Sequence, residues 1–239
     1  MQITKGIEIK DLALYIKKHK ILVLGDVHIG YEEALNKQGI LVPRFQFSDI
    51  IKRLEKIVEG IDIETVIING DLKHEFGKIS EQEWRETLKV LDFLSQHCKQ
   101  IKIIRGNHDK IIGPIAEKRN VEIIDYFAID DIYICHGNII PKDLKFIASE
   151  KIIIGHEHPA ISLHEGTRVE KYKCFLKGKY KEKELIVMPS FNLVTEGTDV
   201  LQEKTLSPFL HQEISGFNVF IVSDKVYDFG KMKKLMRKR

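Results

Sequence analysis

The chain has 239 residues, of which 43% are hydrophobic and 31% charged, with a formal net charge of +3. That is enough chain and enough apolar content for one sizeable core. No run of about 18 apolar residues occurs and no basic segment leads into an apolar stretch at the start, so the expectation is a soluble, unexported, cytoplasmic protein without a membrane partner. The three cysteines, Cys98, Cys135 and Cys174, are far apart and include no C-x-x-C pair. They suit a reducing compartment, with packing as their expected role.

The charge is uneven. The last nine residues carry six lysines or arginines and no acid, and removing those six charges leaves −3 on residues 1–230. One domain over 1–230 with a basic tail at 231–239 is the expected organisation. Such a tail suits nucleic acid or an acidic partner, and a solvated end is the plainer reading.

In chain order, apolar runs of strand length alternate with amphipathic stretches, the rhythm of an α/β protein. Strands are expected at 21–25, 65–69 and 101–104, and helices at 47–59 and at 81–96, the latter behind Ser80 as N-cap. Beyond 120, short strands follow in quick succession at 121–124, 126–129, 132–135, 152–154, 160–164, 171–176 and 185–188. Their spacing predicts a second sheet of mostly antiparallel neighbours, including a lysine-rich hairpin with Gly178 near its turn. Residues 189–212 show no period and read as a long loop, and 217–222 with 225–229 as a closing hairpin.

The chemistry gathers where strands end. One apolar run leads into Asp26-Val27-His28, another into Gly70-Asp71, and a third through Arg105 to Gly106-Asn107-His108-Asp109. Two more deliver His136-Gly137 and Gly155-His156-Glu157-His158. Polar groups of open α/β sheets collect beyond the carboxyl ends of the strands, and strand alternation would let Asp26 and His28 project together. Each fragment alone is an ordinary turn or a packed histidine. Burying so many carboxylates and imidazoles together is costly unless divalent cations pair them. His19, His97, His164 and His211 lack the strand-end setting and receive no role.

The ordered set D-x-H, G-D, G-N-H-D, H-G and G-H-x-H, spanning about residues 21–158, resembles the calcineurin-like metallophosphoesterase family. Three further stretches look like its SbcD-related branch, which includes archaeal phosphoesterases and PdeM-like endonucleases: Gly70-Asp71-Leu72-Lys73-His74, Gly155-His156-Glu157-His158-Pro159, and Pro189-Ser190-Phe191-Asn192 followed by Gly197-Thr198-Asp199. The resemblance implies a four-layer α/β/β/α sandwich with two mixed sheets. It implies that Asp26, His28, Asp71 and His158 hold one metal, while Asp71, Asn107, His136 and His156 hold a second. His108 resembles the family's catalytic histidine, stabilising the transition state or protonating the leaving oxygen. Asp109 is read either as orienting His108 or as a helix N-cap.

Oxygen and imidazole donors without thiolate suit manganese and would accept iron or zinc. Two cations sharing a carboxylate and a water activate that water and polarise phosphate oxygens. The reading is therefore a dinuclear-metal phosphodiesterase, a nuclease on DNA or RNA with DNA favoured, in DNA repair, with a helicase or ligase as a candidate partner. Arg44, His74, Arg105 and the lysines of 171–183 are the candidate backbone contacts. Phe45, Phe47 and Phe191 are candidate stacking groups, with core packing the plainer role. The alternatives are a hydrolase of small nucleotides or phosphomonoesters, and an inactive binding scaffold of the same fold. The presence of all seven ligand positions and of His108 argues against the scaffold.

Overall fold

Runs of isoleucine, valine and leucine bounded by glycine, aspartate or asparagine become strands throughout, because branched side chains pack well on a pleated surface. The structure is a computed structural model and describes residues 1–77 and 79–236, the side chain of Glu165 apart. In the first sheet, β1 (Gln2–Thr4), β2 (Ile7–Lys10), β3 (Ala13–Ile16), β4 (Ile21–Gly25), β5 (Thr65–Asn69), β6 (Gln100–Ile104) and β7 (Glu122–Ile124) lie side by side in chain order. β1 to β4 pair antiparallel and β4 to β7 parallel. Parallel neighbours need crossovers, supplied by α1 (Tyr31–Lys37) and α2 (Gln46–Val58), α3 (Glu81–Ser95) and α4 (Gly113–Glu117). α3 starts at a capping box in which Ser80 Oγ accepts from Glu83 N and the Glu83 carboxylate from Ser80 N.

The second sheet holds β8 (Phe127–Ile129), β9 (Ile132–Cys135), β10 (Lys151–Ile154), β11 (Pro159–Glu165), β12 (Arg168–Tyr180), β13 (Lys183–Val187), β14 (Thr198–Asp199), β15 (Asn218–Val222) and β16 (Val226–Lys231). β9, β10 and β13 are mutually parallel, with α5 (Leu144–Ala148) crossing from β9 to β10. Alternation along these strands builds two cores. Ile132, Ile134, Ile153, Phe175 and Ile186 join the first sheet's interior, which also takes Ile50 and Leu54 of α2 and Leu91 and Leu94 of α3. Tyr133, Cys135, Ile152, Ile154 and Leu185 face the other way, onto Phe146 of α5 and Met232 of α6 (Met232–Met236). Helices therefore flank two stacked mixed sheets, the expected α/β/β/α order.

Several local expectations need correction. Residues 2–16 form three antiparallel strands that the apolar pattern alone did not announce. The strand near 121–124 joins the first sheet, not the second, because α4 returns the chain parallel to β6. The second sheet is mixed and mostly antiparallel, as expected, with α5 providing the crossover that sets β9 and β10 parallel. Gly178 lies inside β12 opposite Leu185, where a Cβ would collide with the Phe217 ring; the turn falls at Lys181, at φ 54°. Residues 189–212 are mostly irregular but contain β14 and a 3-10 turn at Pro208–Leu210.

At the basic end, Lys231 closes β16 and Met232 is buried in α6, while residues 237–239 lie outside the described residues. All three cysteines are free, Cys135 and Cys174 fully buried and Cys98 partly so. No helix among the described residues is long and apolar enough to cross a membrane.

Candidate metal centre

The parallel strands β4, β5 and β6 end at one edge of the first sheet and carry Asp26 and His28, Asp71, and Asn107 with His108 on the loops that follow. β9 and β10 end beside them and carry His136, His156 and His158. The two edges are stitched together: Phe191 N donates to Gly25 O at 2.7 Å, and His156 N to Asp26 Oδ2 at 3.0 Å. β4 stops at Gly25, so strand alternation does not aim Asp26 and His28 as expected. Instead Asp26, His28, Asp71, His156 and His158 all hold left-handed backbone, with φ from 49° to 64°. Non-glycine residues seldom adopt it, and the strain is tolerated where surrounding structure over-determines the loop. Here Asp26 N donates to Gly70 O and His28 N to Asp71 O, tying the loops together.

Donor atoms converge in three groups: Asp26, His28 and His158; Asp71, His136 and His156; and His28, His74 and His108. The first two match the two ligand sets implied by the sequence, without Asn107 and with Asp71 in one group only. Asp71 Oδ2 nonetheless lies 3.8 Å from His28 Nε2 and 3.4 Å from His136 Nε2, between the two groups. Asn107 Oδ1 sits 2.9 Å from His136 Nε2. Two glycines make the approach possible. A Cβ on Gly106 would collide with Asp71 Oδ1, and one on Gly155 with Asp26 Oδ2.

This arrangement fits cations. Ring nitrogens face each other, His28 Nε2 and His158 Nε2 at 3.4 Å and His156 Nδ1 and His136 Nε2 at 3.1 Å. Asp26 Oδ1, fully buried, faces His158 Nε2 at 3.3 Å yet makes no hydrogen bond among the described residues. Asp26 and Asp71 are 0% and 2% exposed, and no lysine or arginine among the described residues lines the cavity of about 250 Å³ that Asp71, His28, His156 and His158 border. Two carboxylates buried this close together are costly, and a divalent ion would offset that cost and take up the convergent lone pairs.

The titration behaviour follows from burial and charge. Burial and the neighbouring His158 hold His28 well below the ordinary imidazole range, and burial and His136 hold His156 down at about 4. For His136 burial pulls down, but the Asp71 hydrogen bond and the Asp26 and Asp71 charges prevail and raise it to about 9. For Asp71 burial pushes up, and His136 and the other imidazoles outweigh it, leaving the carboxyl below its usual value. Imidazoles that stay neutral are ready to donate lone pairs to a metal.

His108 sits at the mouth. Its Nδ1 donates to His74 O, its backbone N to Asp71 Oδ1 at 2.8 Å, and its Nε2 lies 3.9 Å from Asp71 Oδ2. Asp109 neither orients that ring nor caps a helix: α4 begins at Gly113, and the buried Asp109 carboxylate accepts from Leu72 N at 3.2 Å and Gly106 N at 3.1 Å. Burial, with the nearby Asp71 charge, raises its carboxyl to about 6. It joins the β5 and β6 loops.

Of the candidate substrate contacts, His74 lines the cavity with His108 and Tyr31, whose ring packs on it at 4.2 Å. Arg44 is exposed and pairs with Glu33 at 2.6 Å, and Arg105 pairs with Asp125 at 3.7 Å. Neither lines the cavity. Lys171 and Lys173 border a separate hollow of about 620 Å³, and Thr195 lines both it and the cavity. Phe191 is core, and Phe47 packs against it.

Sequence reasoning missed the buried groups that hold the loops. Lys73, 0% exposed, donates to Glu75 O and, at 2.8 Å, to His108 O. Glu83 accepts from His74 N and Glu75 N, and Glu157 from Leu206 N and Ser207 N. The signal was there in part, since a charged residue beside a ligand motif and a glutamate three residues after an N-cap both invite a structural role.

The calcineurin-like phosphoesterase family matches residues 19–213, and the chain belongs to that family of hydrolases. Among solved structures it is similar to a Pseudomonas putida nuclease, MPE, at 20% identity and a TM-score of 0.66, covering 92% of this chain and 93% of that one. It is also similar to the Aquifex aeolicus protein AQ665, at 19% identity and a TM-score of 0.40, over 58% of this chain and 78% of that one. No curated protein matches.

Proposed function

We propose that this hydrolase is a dinuclear-metal phosphodiesterase that cuts nucleic acid, with Asp26, His28, Asp71 and His158 around one cation and Asp71, Asn107, His136 and His156 around the other. The observation that carries it is the position of Asp71 Oδ2, within 4 Å of imidazole nitrogens from both ligand groups. When bound, the cations would polarise the phosphate and lower the pKa of water.

The remaining work falls to the chain's own residues. Donation from His108 Nδ1 to His74 O fixes the ring and leaves Nε2 toward the cavity, so that the doubly protonated imidazolium gives its Nε2 proton to the departing oxygen and returns to the neutral Nδ1–H form. Asp71 Oδ1 holds the His108 backbone, so the carboxylate between the metal groups also positions the acid. Asn192 and Thr195 line the cavity and offer polar contacts to the phosphate, and Leu206 narrows it against water.

The Pseudomonas putida nuclease of similar fold supports a nucleic-acid substrate. The SbcD-like stretches around Asp71, His156 and Asn192 support a nucleic-acid diester, DNA favoured over RNA, in a repair role beside a helicase or ligase; the oxygen and imidazole donors support manganese, and the free cysteines a reducing cytoplasm. Purified protein with manganese and labelled single-stranded, duplex and circular DNA, and RNA, tests it. Cutting that disappears in His108→Ala is the expected result. Turnover of a small diester with no cutting of any polynucleotide would move the reading to a small-nucleotide hydrolase.

A further inference from the structure

The loop after β5 presents an aromatic side chain to solvent beside the acid. Phe76 is 50% exposed, and one face of its ring lies on His108, centroids 3.7 Å apart at 30°. Its neighbours are held firmly: Glu83 accepts from His74 N and Glu75 N, and the buried Lys73 donates to Glu75 O and His108 O. Residues 73–75 and the His108 loop are thus fixed by buried polar groups, while the ring they lead to stands half in water. A second apolar side chain is displayed in the same way. Leu206 is 58% exposed on the cavity wall, its backbone N held by buried Glu157 at 2.8 Å.

Rigidly held apolar groups at the rim of a polar cavity cost solubility and contribute nothing to the core. They suit a ligand that is planar and apolar next to a charged group, which describes a nucleobase beside its phosphate. An aromatic face accepts any base, so it grips a strand without reading its sequence.

We infer that the exposed face of Phe76 is a stacking platform for the nucleobase adjacent to the phosphate that lies against His108. The inference rests on the nucleic-acid reading of the site. Phe76 places the strand, while His108 beneath it acts on the ester.

The test is fluorescence anisotropy with the full chain in EDTA, so that binding is read without cutting. The probes are a fluorescein-labelled oligothymidylate and an abasic strand of equal length and charge. Phe76→Ala should weaken the base-bearing strand by about tenfold and leave the abasic strand unchanged, with Phe76→Trp restoring the difference. Equal weakening of both strands, no weakening of either, or a wild type that binds neither would overturn the platform. Cutting by manganese-loaded wild type is followed in parallel. Cutting without a base-dependent loss at Phe76 sinks the platform and spares the nuclease reading. A base-dependent loss without any cutting does the reverse.

Discussion

The two sheets bring different chemistry to one cavity. Loops after β4, β5 and β6 of the first sheet supply both carboxylates, the amide of Asn107 and His108, whereas loops after β9 and β10 of the second supply only imidazoles, His136, His156 and His158. Negative charge enters from one side and imidazole donors from the other. The second sheet touches the carboxylates through ring nitrogens and through His156 N on Asp26. A cation held between the two sides would therefore reward their contact electrostatically.

If the first sheet's charge is what holds the metals, Asp71→Ala should be the most damaging exchange. Diester hydrolysis should fall by about a thousandfold or more, since removing a shared ligand forfeits several kcal/mol of transition-state stabilisation. Metal analysis after gel filtration should find less manganese per chain than in wild type. Full occupancy and activity in that variant would break the comparison outright.

His108→Ala belongs to the same sheet but to chemistry rather than charge. It should lower kcat by about a hundredfold to ten-thousandfold, the range for a lost general acid, with manganese content unchanged. A matching loss of metal would mean that His108 joins His28 and His74 as a ligand.

Manganese at about a hundred times its dissociation constant should add about 2.7 kcal/mol to unfolding free energy, read by denaturant titration. His156→Ala should shrink that increment, because one of the second sheet's three imidazole donors is gone. An increment that survived would remove His156 from the ligand set.

The buried struts give a smaller effect, confined to stability. Glu157→Ala leaves Leu206 N and Ser207 N without their carboxylate and should cost about 1–3 kcal/mol. Smallest of all are Arg44→Ala and Arg105→Ala. Each breaks one exposed ion pair, worth about 0–1 kcal/mol. Turnover of a small diester should stay within about twofold for both, since neither residue lines the cavity. A loss limited to long strands at low salt would assign them to the distant backbone.

Much of this was legible along the chain. Each apolar run that stops at Asp, Asn or His sets a strand end, because branched side chains favour the sheet and the polar residue leaves it. Ser80 as N-cap announced α3 by a local rule that needs no distant partner. Less was legible where two distant segments decide the outcome. Gly178 reads as a turn residue until Phe217, far along the chain, is seen packed on its backbone. Asp109 reads as a helix cap until Leu72 N is seen to claim its carboxylate.

The sequence by itself determined which residue types stand at strand ends and, through their order, the family to which the chain belongs. Only the tertiary structure decided how they are aimed, because left-handed backbone at Asp26, His28, Asp71, His156 and His158 is strained in isolation and persists through hydrogen bonds between loops. It alone also decided that Lys73, Glu83 and Glu157 are buried struts and that Phe76 stands exposed over His108. Burial depends on what packs from elsewhere in the chain, and a residue's own neighbours in sequence carry no record of that.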